Sequence, residues 1–225
     1  MTGNEPEANA INGRLRRPQL HSKPELTMRP SLVFAIIWIG WIVSWSIAAL
    51  WSAPTEKRAA TPAAWVARVA IFAGAILLLH STRRILHEPR LWHVGFGGAY
   101  ALSAVALAGI LFAWWARIHL GSLWSGAITR KQGHHVVETG PYALVRHPIY
   151  TGLIAAIFAT AAAQATVTGL VGAALVAFAL WLKARAEERF LTAELGAEAY
   201  GAYCRRVPML VPGVRDRGSE IRDQQ

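Results

Sequence analysis

Two short polar stretches in an otherwise apolar chain hold the residue types that do chemistry. The first is HHVVETGPYALVRHPIYTG, from His134 to Gly152, and the second is KARAEERFL, from Lys183 to Leu191. Within the first, Arg146-His147-Pro148 stands at the head of an apolar run. Proline favours the first turn of a helix, which puts His147 at the cap. A helix N-terminus presents free N–H groups and a partial positive charge, and so suits an anion such as a carboxylate. Without such a ligand, the tripeptide reads as a capping histidine with a snorkelling arginine. In the second stretch Glu187 and Glu188 follow an apolar segment directly, with Lys183 four residues before Glu187 on the same helical face. Such carboxylates either accept hydrogen bonds from hydroxyl or amino groups, act as a base, or form a plain surface salt bridge. His134 and His135 are adjacent and do not share a helix face. With no HExxH or other ligand spacing, no metal site is expected.

Composition says what must position these groups. Of 225 residues, 54% are hydrophobic and 16% charged, against about 25% charged in a soluble domain. The mean hydropathy is +0.31. The ten tryptophans gather near the ends of apolar runs, as membrane-interface residues do. The net charge of +10 falls on residues that flank those runs. That pattern points to membrane topology and anionic lipid, not to nucleic acid. The single Cys204 has no partner for a disulfide or a CxxC metal site.

A membrane span takes about 20 apolar residues. Candidates run from Ser31 to about Ser52, from about Ala63 to Leu79, and from about Val94 to Ala116. A basic loop, Arg117 to Arg146, follows, and then a long apolar stretch from Ile149 to Leu182. Gln164 to Thr168 divides that stretch into a hairpin with two rather short arms. Small residues along the arms, Gly152 and Gly172 among them, allow close helix packing. Gly95-Phe96-Gly97-Gly98 has no strand before it and is read as helix packing, so no soluble dinucleotide-binding domain is present. An amphipathic tail, Lys183 to Val207, reads as a helix leaving the membrane. The expected class is all-α, an integral membrane protein of about five transmembrane helices. Residues 1–30 form a disordered basic tail that is not a secretory signal. Residues 31–116 hold three spans, 117–213 the chemical region, and 214–225 a short disordered tail. With five crossings, Lys57, Arg58, the loop 117–148 and the C-terminal tail share one side. The positive-inside rule favours the cytoplasm for that side, although the basic N-terminal tail and Arg83, Arg84 and Arg90 fall opposite.

Taken in order, the motifs resemble the isoprenylcysteine carboxyl methyltransferase family and its phospholipid N-methyltransferase relatives. The resemblance is carried by Leu120-Gly121 with Trp124-Ser125, His134 with Val136-Val137, Thr139-Gly140-Pro141-Tyr142, and Arg146-His147-Pro148 with Tyr150 and Gly152. Glu187-Glu188, Leu191, Gly196, Tyr200, Tyr203, Val207-Pro208 and Pro212 complete it. It covers residues 120 to 213, and the first 90 residues match only as generic spans. The resemblance implies an enzyme that binds S-adenosyl-L-methionine at the cytosolic membrane face. Its implied cofactor contacts are His134, His135, Val136, Val137, Tyr142, His147, Pro148, Ile149, Tyr150 and Glu187. A basic residue one turn before the glutamates is implied to face a substrate carboxylate. That position is Lys183, where the eukaryotic enzymes have an arginine, and lysine lacks the bidentate fork that matches a carboxylate.

The implied reaction is methyl transfer to a lipophilic acceptor that enters sideways from the bilayer. A carboxylate acceptor is already ionised at neutral pH and needs alignment and exclusion of water more than a base. Lys183 or Arg146 would orient it. An amine acceptor must first lose a proton, which Glu187 or Glu188 would take. A thiol would need a nearby cation to favour its thiolate. The sequence leaves carboxyl, amine and thiol acceptors open, and beside them a non-catalytic carrier or accessory protein with the same fold.

Overall fold

The structure is a computed structural model that describes residues 28–51, 55–58, 62–79, 88–121, 129–131 and 137–214. The described residues are mainly helical: α1 (Pro30–Ala48), α2 (Pro62–Leu79), α3 (Phe96–Leu120), α4 (Pro148–Gln164), α5 (Val167–Leu195) and α6 (Ala197–Arg206). α1, α3 and residues Val167–Ala193 of α5 are long and apolar enough to cross a membrane, while Trp65–Leu78 and Pro148–Gln164 are shorter apolar segments. The all-α membrane reading stands. Two short strands, β1 (Thr55–Arg58) and β2 (Thr129–Lys131), pair antiparallel. Their short, polar sequences gave no apolar–polar alternation to betray them.

The chain reverses direction from one apolar helix to the next. Arg117 near the end of α3 donates to the Ala48 carbonyl at the end of α1, and Tyr100 near its start reaches Met28. α1 and α3 are therefore parallel. The β ribbon brings the α1–α2 and α3–α4 connections together on the side where α3 ends and α4 begins. The α4–α5 turn lies on the opposite side. There Ala165 takes a left-handed conformation, φ 55°, that an alanine adopts at some cost. The turn is held by its neighbours. Leu91 N–H donates to the Ala165 carbonyl at 2.7 Å and Trp92 Nε1 to that of Ala162 at 3.1 Å. Gln164 reaches the Leu78 carbonyl, and Glu88 accepts from Thr168 N–H at 2.9 Å.

Three boundaries differ from the sequence reading. α3 continues through Arg117 to Leu120, so the basic loop starts later than Arg117. The second arm of the hairpin is not short: α5 runs 29 residues without a break at Lys183. At 1.5 Å per residue that is about 43 Å, well beyond a hydrocarbon core of about 30 Å. The tail is not one helix either, since Gly196, at φ 90°, separates α5 from α6.

Close packing rests on two glycine pairs. A Cβ on Gly109 of α3 would lie 2.5 Å from the Gly152 carbonyl oxygen of α4, and one on Gly74 of α2 would lie 2.7 Å from that of Gly172 on α5. The backbones touch directly, as small residues allow in membrane helices. The Gly95–Gly98 segment is not such a contact, for Gly95 and Gly97 have open space around them. Gly152→Val is therefore expected to destabilise the fold by about 1–3 kcal/mol through overpacking, whereas Gly97→Ala, an exposed helix position, should be neutral or slightly stabilising. Thermal unfolding of the detergent-solubilised variants separates the two.

Candidate functional site

The segment from Thr139 to His147 crosses the end of the bundle and delivers the chain into α4. Gly140 permits its first bend: φ is 58°, and a Cβ there would stand 2.8 Å from the His119 ring. His119 Nε2 in turn pairs with Thr139 Oγ1 at 2.8 Å. A short 3-10 turn, Gly140–Ala143, buries Pro141 and Tyr142. Pro148 then opens α4 with His147 at the cap position. The His147 side chain makes no cap hydrogen bond; it turns across to α5 instead.

There it meets both glutamates. His147 Nε2 lies 3.2 Å from Glu188 Oε1 and Nδ1 lies 3.6 Å from Glu187 Oε2. The two carboxylates then diverge in their partners. Glu188 accepts from Arg146 Nε at 2.6 Å. Arg146 also donates to the carbonyls of Cys204 at 2.9 Å and Val207 at 2.6 Å. Its side chain is only 3% exposed. Burial works against the guanidinium charge, and the Glu188 carboxylate more than offsets it, holding Arg146 above its ordinary range. Glu187 accepts from the Tyr150 hydroxyl at 2.7 Å and stands 3.6 Å from Lys183 Nζ. The Lys183 ammonium also sits 5.2 Å from the centre of the Tyr150 ring, and the His147 and Tyr150 rings stack at 5.5 Å, nearly parallel.

The C-terminal segment closes one side. Arg146 and His147 N–H groups donate to the carbonyls of Pro208 and Met209, and Thr151 Oγ1 donates to that of Leu210 at 2.7 Å. Tyr203 donates to the Tyr142 carbonyl at 2.8 Å. Burial raises the Tyr203 hydroxyl well above its usual range, so it stays protonated and able to donate.

The structure thus gathers Arg146, His147, Pro148, Ile149, Tyr150, Lys183, Glu187 and Glu188 at one end of the bundle. Tyr142 is buried beside them, with its ring facing His119 at 6.4 Å. Val137 packs against the same core. His134, His135 and Val136 lie outside the described residues. Sequence reasoning missed Arg117, which is buried and holds the Ala48 and Gly121 carbonyls at 2.7 and 2.6 Å. Its signal was a lone arginine within reach of an apolar run, placed instead in the loop. Thr151 and Tyr203 were missed as positioning groups because their partners are backbone carbonyls.

The arrangement has two halves with different duties. Arg146 and Glu188 form a buried pair that ties three segments together. Breaking such a pair from one side costs about 3–5 kcal/mol. Arg146→Ala is expected to lose about that much stability. The Arg146→Ala/Glu188→Ala double variant should lose clearly less than the sum of the single losses, as a double-mutant cycle of thermal unfolding would record. Next to this pair, burial pushes the Cys204 thiol up to about 11. Only the thiolate reacts with alkylating agents, so at about pH 8.5, where an ordinary thiol is half ionised, Cys204 of the folded protein should label slowly. Its rate should keep rising toward pH 11, when followed by intact mass.

No curated protein matches the chain. Residues 101–193, however, match the Isoprenylcysteine carboxyl methyltransferase (ICMT) family. The matched segment begins in α3, contains the whole of α4 and ends past the glutamates of α5, so the similarity to this family covers the cluster just described.

Proposed function

We propose that the protein is a membrane methyltransferase that uses S-adenosyl-L-methionine to methylate a lipophilic acceptor, foremost the carboxylate of an isoprenylcysteine-like or other lipid acid. One observation carries the reading: Glu187, Tyr150, His147 and Lys183 converge at the N-terminus of α4 inside the segment that matches the family. When bound, the cofactor would supply an already activated methyl group on a cationic sulfur.

The residues present fit that group. The opening turn of α4 offers partial positive charge to an α-carboxylate. Glu187, half-buried, offers acceptor oxygens for hydroxyl or amino hydrogens and a negative charge suited to a cationic centre. His147, Pro148, Ile149, Tyr150, Tyr142 and Val137 would surround the cofactor, and the family resemblance adds His134, His135 and Val136, which lie outside the described residues.

Lys183 suits the acceptor better than Arg146 does. Arg146 is buried and held by Glu188 and two carbonyls, while the Lys183 side chain remains 21% exposed. Lys183 would hold an acceptor carboxylate by charge, and because that nucleophile is ionised at neutral pH, no general base is required. Were the acceptor an amine, Glu187 would be the base, since Glu188 is committed to Arg146 and His147. The active face is assigned to the cytoplasm on the basic β ribbon and C-terminal segments gathered there.

Calorimetric titration of the detergent-purified protein with S-adenosylmethionine, beside Glu187→Ala, tests the reading. Saturable binding that the variant loses, by at least roughly tenfold for a charged hydrogen-bonding partner, is expected. A folded wild type that binds none would sink the enzyme reading in favour of a carrier or accessory protein. Methylation assays with lipid acids, phospholipid amines and lipophilic thiols then rank the acceptors.

A further inference from the structure

One face of α5 is exposed along its whole length. Val167, Val171, Phe178, Trp181, Arg185 and Arg189 are all exposed and recur at spacings of three, four or seven, so they form a single stripe. The stripe changes character in order. It is aliphatic at the end near the α4–α5 turn. It turns aromatic at Phe178 and Trp181, whose rings stack at 5.7 Å, and cationic at Arg185 and Arg189. From Val167 to Arg185 the helix rises about 27 Å, close to the thickness of a hydrocarbon core. Aromatic rings belong at the membrane interface and arginines just beyond it. The Arg185 guanidinium lies 5.6 Å from the Trp181 ring, so the indole holds the cation at the boundary.

We propose that Arg185 and Arg189 form a docking site for the headgroup of an anionic phospholipid, with its acyl chains lying along Trp181, Phe178 and Val171. Charge complementarity selects the partner. Two guanidiniums one turn apart match a phosphate diester, and the apolar stripe below them matches hydrocarbon. A zwitterionic lipid carries its own cation and gains far less. Lys183 and Glu187 occupy the other side of the same turns, so the bound lipid would fix the depth of α5 and hold the site level with the bilayer surface.

The test does not depend on methyl transfer. Native mass spectrometry of the detergent-purified protein, titrated with dioleoylphosphatidylglycerol or dioleoylphosphatidylcholine, should show preferential retention of the anionic lipid. The expected preference is roughly thirtyfold, from two cations near an anionic surface. Arg185→Gln/Arg189→Gln should bind the two lipids nearly alike, with the unfolding temperature in lipid-free detergent unchanged, because both side chains are exposed. Arg185→Lys/Arg189→Lys should keep most of the preference. A wild type without preference, or a glutamine pair that retains it, would overturn the site. An equal loss in the lysine pair would overturn it too, since charge would then not be what holds the lipid.

Discussion

The Arg146–Glu188 ion pair is the contact on which the rest of the site depends. A guanidinium taken out of water beside apolar helices must be paired and hydrogen-bonded or the fold does not tolerate it. Here the carboxylate comes from α5 and the remaining acceptors are carbonyls of the C-terminal segment. One side chain thus joins three pieces of chain that are distant in sequence. His147 leans on the same carboxylate, which rotates its ring away from capping α4 and toward Tyr150. The neighbouring Glu187 is then left to face Lys183 and Tyr150. One glutamate holds the architecture, and the other is left outside that pair, as the proposed ligand role of Glu187 requires.

That pair could not form unless α4 and α5 stood at the right height and separation. The two glycine contacts set these. α4 sits against α3 at Gly109 and Gly152, and α5 sits against α2 at Gly74 and Gly172, in each case with backbone on backbone. A methyl group at any of the four would push the helices apart and carry the head of α4 out of register with the glutamates of α5. The Ala165 turn at the far end does the complementary work. Its left-handed residue is tolerated because Leu91, Trp92, Gln164 and Glu88 hold the loop, which fixes how the end of α4 is set against the start of α5.

Much of this was legible in the residues. Arg-His-Pro before an apolar run and Glu-Glu after one mark two ends of a hairpin, and the polar break from Gln164 to Thr168 marks its turn. What was not legible shares a physical cause. Arg146 and Thr151 bind the backbone carbonyls of residues 204, 207 and 210, and every residue offers a carbonyl, so the partners leave no trace in residue type. The hand-off from membrane to headgroup inside α5 was mistaken for a helix boundary, because charge begins at Lys183 while the helical hydrogen bonds run on past it. Gly95 and Gly97 show the reverse error: small residues permit close packing but do not compel it where no second helix arrives.

The continuous α5 is also what makes the location of the site intelligible. α4, at 17 residues, rises only about 26 Å and so begins slightly within the span that α5 overshoots. The head of α4 therefore lies beside a helix that continues past it toward the headgroup layer. On the proposed function, a polar, charged methyl donor would approach this end of the bundle from water, and a lipid acceptor would reach it from the side without leaving the bilayer. Neither would have to cross the other's solvent. A soluble enzyme would have to extract the lipid tail, at a cost near 0.8 kcal/mol for each methylene brought out of hydrocarbon, whereas a site at this depth would need only the reactive head to shift toward the surface.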